Sequence, residues 1–295
     1  MKARVFFCLT VAALMLAGTC GTVHADYISA LTGMSGLTSY WNMNETGGAT
    51  AADSVPGDAV DGNNVGTYTG TGVTLGVAGP QPGDGFLGFD ATNLAADFDG
   101  ANNNSELRMA VYGVYGGMTD LSMIVWLRYD DTALARRNIG GLQQNAGGGR
   151  YVFDAAHYEN NNPTPGIQSF ARRADDSPLV QTRNPISFQQ WHMWVMTYEN
   201  GMVAKSYLDG VEVDGATADT SVGLYAPEAL LFGVDIDGSR EWKGQLDEIA
   251  IFDRALSANE VGTLFNAAVV PEPSTLCLMG LGAFCLLFGI KRHNR

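Results

Sequence analysis

Three groups of residues in this chain have the types and spacing to do chemistry. The first is the acidic pair in Gln245-Leu246-Asp247-Glu248-Ile249-Ala250-Ile251. Two carboxylates cleave a glycosidic bond with retention when they stand about 5 Å apart on one surface, as acid and nucleophile. Asp247 and Glu248 are adjacent in a run that reads as a strand, where neighbours point to opposite faces. That spacing speaks against turnover, and the chain reads as a non-enzyme. The second group is His157 and Tyr158, next to Asn160-Asn161-Asn162 in a polar loop, a set suited to a hydrogen-bonding ligand. The third is Trp242, which follows Arg240-Glu241; an exposed indole there would offer a sugar its stacking face.

Other reactive sets are missing. Between residues 25 and 271 the only histidines are His157 and His192, and there is no cysteine nucleophile or Gly-x-Ser-x-Gly elbow. His192 follows Trp191 in a strand pattern and reads as structural. Gly66 to Gly76 contains Gly-x-Gly without the strand-to-helix step that nucleotide binding needs. Asp235-Ile236-Asp237-Gly238 lacks the third acid and distal glutamate of an EF-hand loop.

The elements that must position these residues are strands. Leu121 to Tyr129 alternates with period two and is apolar on both faces; Leu37 to Met43, Tyr151 to Phe153, Trp191 to Tyr198 and Leu246 to Phe252 are similar. Asp209-Gly210, between Lys205 to Leu208 and Val211 to Val213, marks a hairpin, because this pair accepts the positive φ angles of a type I′ turn. Ser257 and Glu260 form a capping box for one short helix carrying Val261, Leu264 and Phe265. Trp41, Trp126, Trp191 and Trp194 fall in strand patterns and read as core. With 37 glycines in 295 residues, turns are frequent. An all-β, two-sheet antiparallel sandwich with a short C-terminal helix is expected.

Both ends carry address labels. Lys2 and Arg4 precede an apolar run from Val5 to Gly18, and Val23 and Ala25 suit a signal peptidase, so residues 1–25 read as a signal peptide. A lipobox around Cys20 is disfavoured by Thr19. At the other end, Pro271-Glu272-Pro273 precedes an apolar stretch over residues 275–290 and then Lys291-Arg292-His293-Asn294-Arg295. As a helix that stretch rises about 24 Å, enough to span a membrane with local thinning, its basic end held in the cytoplasm. Cys8 and Cys20 lie in one end, Cys277 and Cys285 in the other, so the middle folds without disulfides. Removing both ends takes away five of 17 basic and one of 31 acidic residues, which leaves a charge near −18. That charge argues against nucleic acid and anionic lipid as partners, since each needs a basic face.

Two family resemblances follow from these residues. The order Pro271-Glu272-Pro273, apolar helix, basic tip resembles a PEP-CTERM sorting signal. It implies an exosortase-type membrane protease as partner, transient anchoring in the inner membrane by the 275–290 helix, and delivery to the cell surface or extracellular matrix of a Gram-negative-type bacterium. Tyr40-Trp41-Asn42-Met43-Asn44-Glu45 with Asp53-Ser54, Phe98-Asp99-Gly100, Leu121 to Leu127, Trp191-His192, Tyr207-Leu208-Asp209-Gly210 and Gly244 to Ile249 through Arg254-Ala255-Leu256-Ser257 resemble laminin G-like domains of the concanavalin A-like jelly-roll superfamily. This implies a jelly-roll domain over residues 26–268, followed by a sorting tail over 269–295. It further implies a binding or adhesion module for glycan or extracellular matrix, and structural calcium at Asp247 near Asn44. Asn44 departs from the acid usual at its position. Two alternatives remain: a structural component of an extracellular layer, and a jelly-roll glycoside hydrolase. Such hydrolases carry Glu-x-Asp-x-(x)-Glu, and no glutamate stands two residues before Asp247.

Overall fold

A strand that is apolar on both faces needs cover on both sides, and the fold supplies it. The computed structural model describes residues 26–269, except 56–63, 102–103, 146–149, 158–163, 177, 181–182, 200–202 and 218–222. Its helices are α1 (Tyr27–Thr32) and α2 (Ala258–Val269). Its strands are β1 (Leu37–Trp41), β2 (Thr50–Ala51), β3 (Gly66–Thr69), β4 (Val73–Ala78), β5 (Leu94–Asp99), β6 (Glu106–Met109), β7 (Leu121–Tyr129), β8 (Arg137–Gln144) and β9 (Arg150–His157). They continue with β10 (Gly166–Arg172), β11 (Pro178–Val180), β12 (Asn184–Pro185), β13 (Trp191–Tyr198), β14 (Val203–Leu208), β15 (Val211–Thr217), β16 (Ala229–Phe232) and β17 (Lys243–Phe252).

These pair antiparallel into two sheets. Sheet A runs β15-β14-β13-β7-β17-β5-β4, with β1 also on β17; sheet B runs β11-β10-β9-β8-β16-β6-β3-β2, with β12 on β10. Alternate residues of sheet A, among them Met123, Val125, Leu127, Trp194, Met196 and Ile251, meet sheet B in the central core beside Trp41, Phe153 and Phe232. The intervening ones, Ile124, Trp126, Met193, Val195 and Phe252, face outward into a second core closed by α1, α2 and the loop around Phe86 and Phe89. The fold is a jelly-roll-like two-sheet sandwich, its sheet A covered on both sides.

Trp126 pins that second cover. Tyr27 of α1, Phe86 and Phe89 meet its ring edge-on at 5.5, 5.0 and 5.1 Å, and Phe265 of α2 stacks at 6.2 Å. Each such pair contributes roughly 0.5–1.5 kcal/mol beyond its buried area. The expected local devices form as well. Asp209 and Gly210 have φ of 51° and 80°. Ser257 and Glu260 exchange the two capping bonds at 2.8 and 3.3 Å, which start α2. The helix α1 was not expected; at 6 residues it is too short to show periodicity, and Asp26 caps it by accepting from Ser29 N at 2.5 Å. The expected signal peptide and the 275–290 helix lie outside the described residues. Among the described residues no helix is long and apolar enough to cross a membrane.

Candidate functional site

A bulge in β17 decides where the acidic pair points. Asp247 pairs with Trp126 and Ala250 with Ile124, so two residues, Glu248 and Ile249, oppose the single Val125. Glu248 takes up the extra length with φ of 51°. The expectation of opposite faces is therefore corrected. Asp247 stands beside Trp126 on the helix side of sheet A, and Glu248 accepts the Tyr40 hydroxyl on that same side, while Ile249 enters the central core. Both carboxylates are fully enclosed.

Asp247 and Asn44 are brought together through one dipeptide. Asp247 Oδ2 accepts from Asn93 Nδ2 at 2.8 Å, and Asn44 Oδ1 accepts from Leu94 N at 2.7 Å. Asp247 Oδ1 takes the Glu248 N–H at 2.9 Å. The Gly79 backbone passes so close that a Cβ there would lie 2.7 Å from Asp247 Oδ2. Burial, then the neighbouring Glu248, pushes the Asp247 carboxyl well above the usual range; burial holds Glu248 at about 8. Among the described residues neither carboxylate has a basic side chain as a hydrogen-bond partner. The oxygens expected to hold calcium, Asp247 Oδ2 and Asn44 Oδ1, are each engaged by an N–H donor here. No group of three His, Cys, Asp or Glu side chains is gathered for a metal among the described residues, so backbone carbonyls would have to complete calcium's shell.

The three expected ligand contacts fare differently. Trp242 is fully buried, its ring 5.3 Å from Tyr129 in the central core, and offers no face to a sugar. His157 is also fully buried, with Nδ1 2.8 Å from the Gly166 carbonyl oxygen and burial lowering its pKa. Both are corrected from surface to interior: His157 is the last residue of β9 and Trp242 directly precedes β17. Tyr158 and Pro271, Glu272 and Pro273 lie outside the described residues. His192 is structural, taking Ser187 N–H on Nε2 at 3.0 Å and meeting Asp209 Oδ2 through Nδ1 at 2.7 Å.

A cluster that sequence reasoning missed sits on the outer face of sheet B, which neither described helix covers. Register carries a row across that face: Phe170 pairs with Asp154, Asp154 with Gly141, Gly141 with Leu231, and Leu231 with Arg108. Residues 233–240 fold back onto this row, where Val234 and Ile236 pack on Ala229 and Leu231. Asn138 Nδ2 donates to Asp235 Oδ1 at 2.7 Å and to Asp154 Oδ2 at 3.5 Å. Arg240 Nη1 reaches Asp235 Oδ2 at 2.5 Å and the Tyr151 hydroxyl at 2.6 Å. Tyr151 packs on Phe170, ring centroids 4.6 Å apart. Burial outweighs the Arg240 charge and lifts Asp235 to about 6; burial, with Asp235 nearby, lifts Asp154 further. The available signal was Asp154 itself, a charge inside the apolar run Val152 to Ala156.

A model of the concanavalin A-like lectin/glucanases superfamily matches residues 99–262, more than half of the chain. The chain belongs to that superfamily. A PEP-CTERM protein-sorting motif matches residues 269–292. No curated protein matches the sequence. Among solved structures of similar fold is Trypanosoma rangeli sialidase in complex with sialic acid: 13% identity, TM-score 0.55, covering 79% of this chain and 33% of the sialidase. Another is botulinum neurotoxin type C, which depends on interaction with two ganglioside molecules to get into cells: 13% identity, TM-score 0.56, covering 79% and 51%. Domain 4 of a GH43 extracellular arabinanase from Geobacillus stearothermophilus, in complex with arabinotriose, gives 19% identity and TM-score 0.50, covering 77% and 97%. The chain thus spans about a third of the sialidase and half of the toxin chain. At these identities the likeness is one of fold.

Proposed function

We propose that this superfamily member is an exported, surface-sorted binding module for glycan, and that the outer face of sheet B is its binding face. The observation that carries the reading is the asymmetry of the sandwich. Sheet A is sealed by α1, α2 and the Phe86–Phe89 loop, whereas on sheet B the 233–240 segment covers part of the outer face and leaves Tyr151, Gln168 and Arg240 half-buried beside Phe170, with neither described helix over them. An aromatic with amide and guanidinium donors around it suits a sugar, whose ring stacks while its hydroxyls accept and donate. The sialic acid, arabinotriose and ganglioside named for the neighbours fit that ligand class. The sorting motif supports export and exosortase processing. Binding without turnover is favoured because Asp247 and Glu248 are enclosed and Asp235 is committed to Arg240. Calcium enters as a structural ion at Asp247 and Asn44. A glycan-array screen of the 26–269 domain tests the reading. Binding that Tyr151→Ala abolishes without unfolding supports it; no binding to any glycan leaves a structural component of an extracellular layer.

A further inference from the structure

One residue ties both ends of the described chain. Gly88 N donates to Ala268 O at 2.8 Å, and Gly88 O accepts from Tyr27 N at 3.1 Å. A Cβ at Gly88 would lie 1.8 Å from Ala267 O, so the loop and the end of α2 touch backbone to backbone. Helix α2 runs to Val269, and the sorting motif begins at residue 269. There is no spacer between the folded body and the sequence that the sorting enzyme reads.

That spacing sets a reach. Glu272 lies four positions beyond the anchored Ala268, and a fully extended chain gains at most about 3.6 Å per residue, or about 14 Å in all. An enzyme that takes Pro271-Glu272-Pro273 into a cleft must therefore come within about 14 Å of Ala268, close enough to rest on the surface around it. Three large apolar side chains are exposed among the described residues: Leu87, Val114 and Val211. Leu87 adjoins Gly88, which bonds the end of α2, and half-buried Phe86, Phe265 and Val269 belong to the second core that this loop and α2 share.

We propose that this junction, with Leu87 at its centre, is the surface on which the membrane-bound sorting protease docks while it processes the tail. The inference rests on the sorting reading above. It makes the folded domain part of the enzyme's substrate, and it places the open face of sheet B on the far side of the sandwich from the protease.

Pulse-chase of the full chain in a bacterium that carries the protease tests this, with the tail followed by immunoblot and mass spectrometry. Leu87→Asp should slow tail removal roughly fivefold, which corresponds to about 1 kcal/mol of lost contact. A Gly/Ser insertion of about ten residues after Val269 spans some 17 Å on average and frees the enzyme from the surface. With that insertion, Leu87 and Leu87→Asp chains should be processed at the same rate. Processing of Leu87→Asp at the parental rate with native spacing overturns the proposal. So does an equal slowing with and without the insertion, which would mark a general folding defect. A tail kept by every variant, the unmodified chain included, overturns the sorting reading and the docking surface with it.

Discussion

Replacing Gly88 by alanine should loosen both ends of the domain at once. The added methyl would sit 1.8 Å from Ala267 O, against an ordinary contact of 3.4 Å or more, so α2 and the loop must separate by more than 1 Å. The bonds from Gly88 N to Ala268 O and from Tyr27 N to Gly88 O then break. Each is worth about 1 kcal/mol net, and the overpacking adds about 1–3 kcal/mol. The expected loss is about 3–5 kcal/mol, which for a domain of this size lowers Tm by roughly 10 °C. Thermal unfolding of the 26–269 domain followed by circular dichroism reads the first quantity. Amide exchange reads the second: protection should fall in α1 and in the last turn of α2, and stay unchanged in β13. A Tm within 2 °C of the parent would refute the reasoning. So would a large loss of stability with α1 and α2 as protected as before.

Two further outcomes follow from the buried carboxylates. Calcium at a hundredfold excess over its Kd should stabilise the domain by about 2.7 kcal/mol, chelation should reverse this, and Asp247→Asn should blunt the response; identical melting curves in calcium and chelator would dismiss the ion. Stability should also fall as pH rises. Asp235 keeps its proton in the folded state up to about 6 but loses it near 4 when unfolded, so its contribution to stability is full below pH 4 and declines by about 3 kcal/mol between 4 and 6. Asp154, Asp97, Asp247 and Glu248 are raised too and extend the decline; His157, lowered by burial, opposes it below its ordinary pKa of about 6.5, and Glu260, held at about 2 by Arg254, acts only below its own unfolded pKa. Asp154→Asn, which keeps the shape and removes the charge, should flatten the slope measured by urea denaturation; an unchanged slope would count against the burial argument.

What was legible in the sequence was what local physics dictates. The Asp209-Gly210 turn and the Ser257/Glu260 box act within a few residues, and both form as written. The two-sided apolar pattern of β7 announced a second cover without saying what supplied it. The misses share a cause, which is distance along the chain. Glu248 leaves the strand alternation only because β7 and β1 hold β17 on either side, and no dipeptide preference signals that bulge. Trp242 follows two charged residues, yet Glu241 accepts from Ser105 N at 3.2 Å and is itself fully buried, so the polar stretch lies inside. Asn138 and Asp235 are 97 positions apart, and Arg240 and Tyr151 are 89 apart; each reads locally as a loop or strand polar residue.

The most direct test of the account is to find where a sugar lands. Chemical-shift mapping of the 26–269 domain, titrated with the best glycan from an array, should show perturbations clustered on Tyr151, Gln168, Phe170 and Arg240. Perturbations centred on α1, α2 and the Phe86–Phe89 loop instead, with the sheet B face silent, would contradict it.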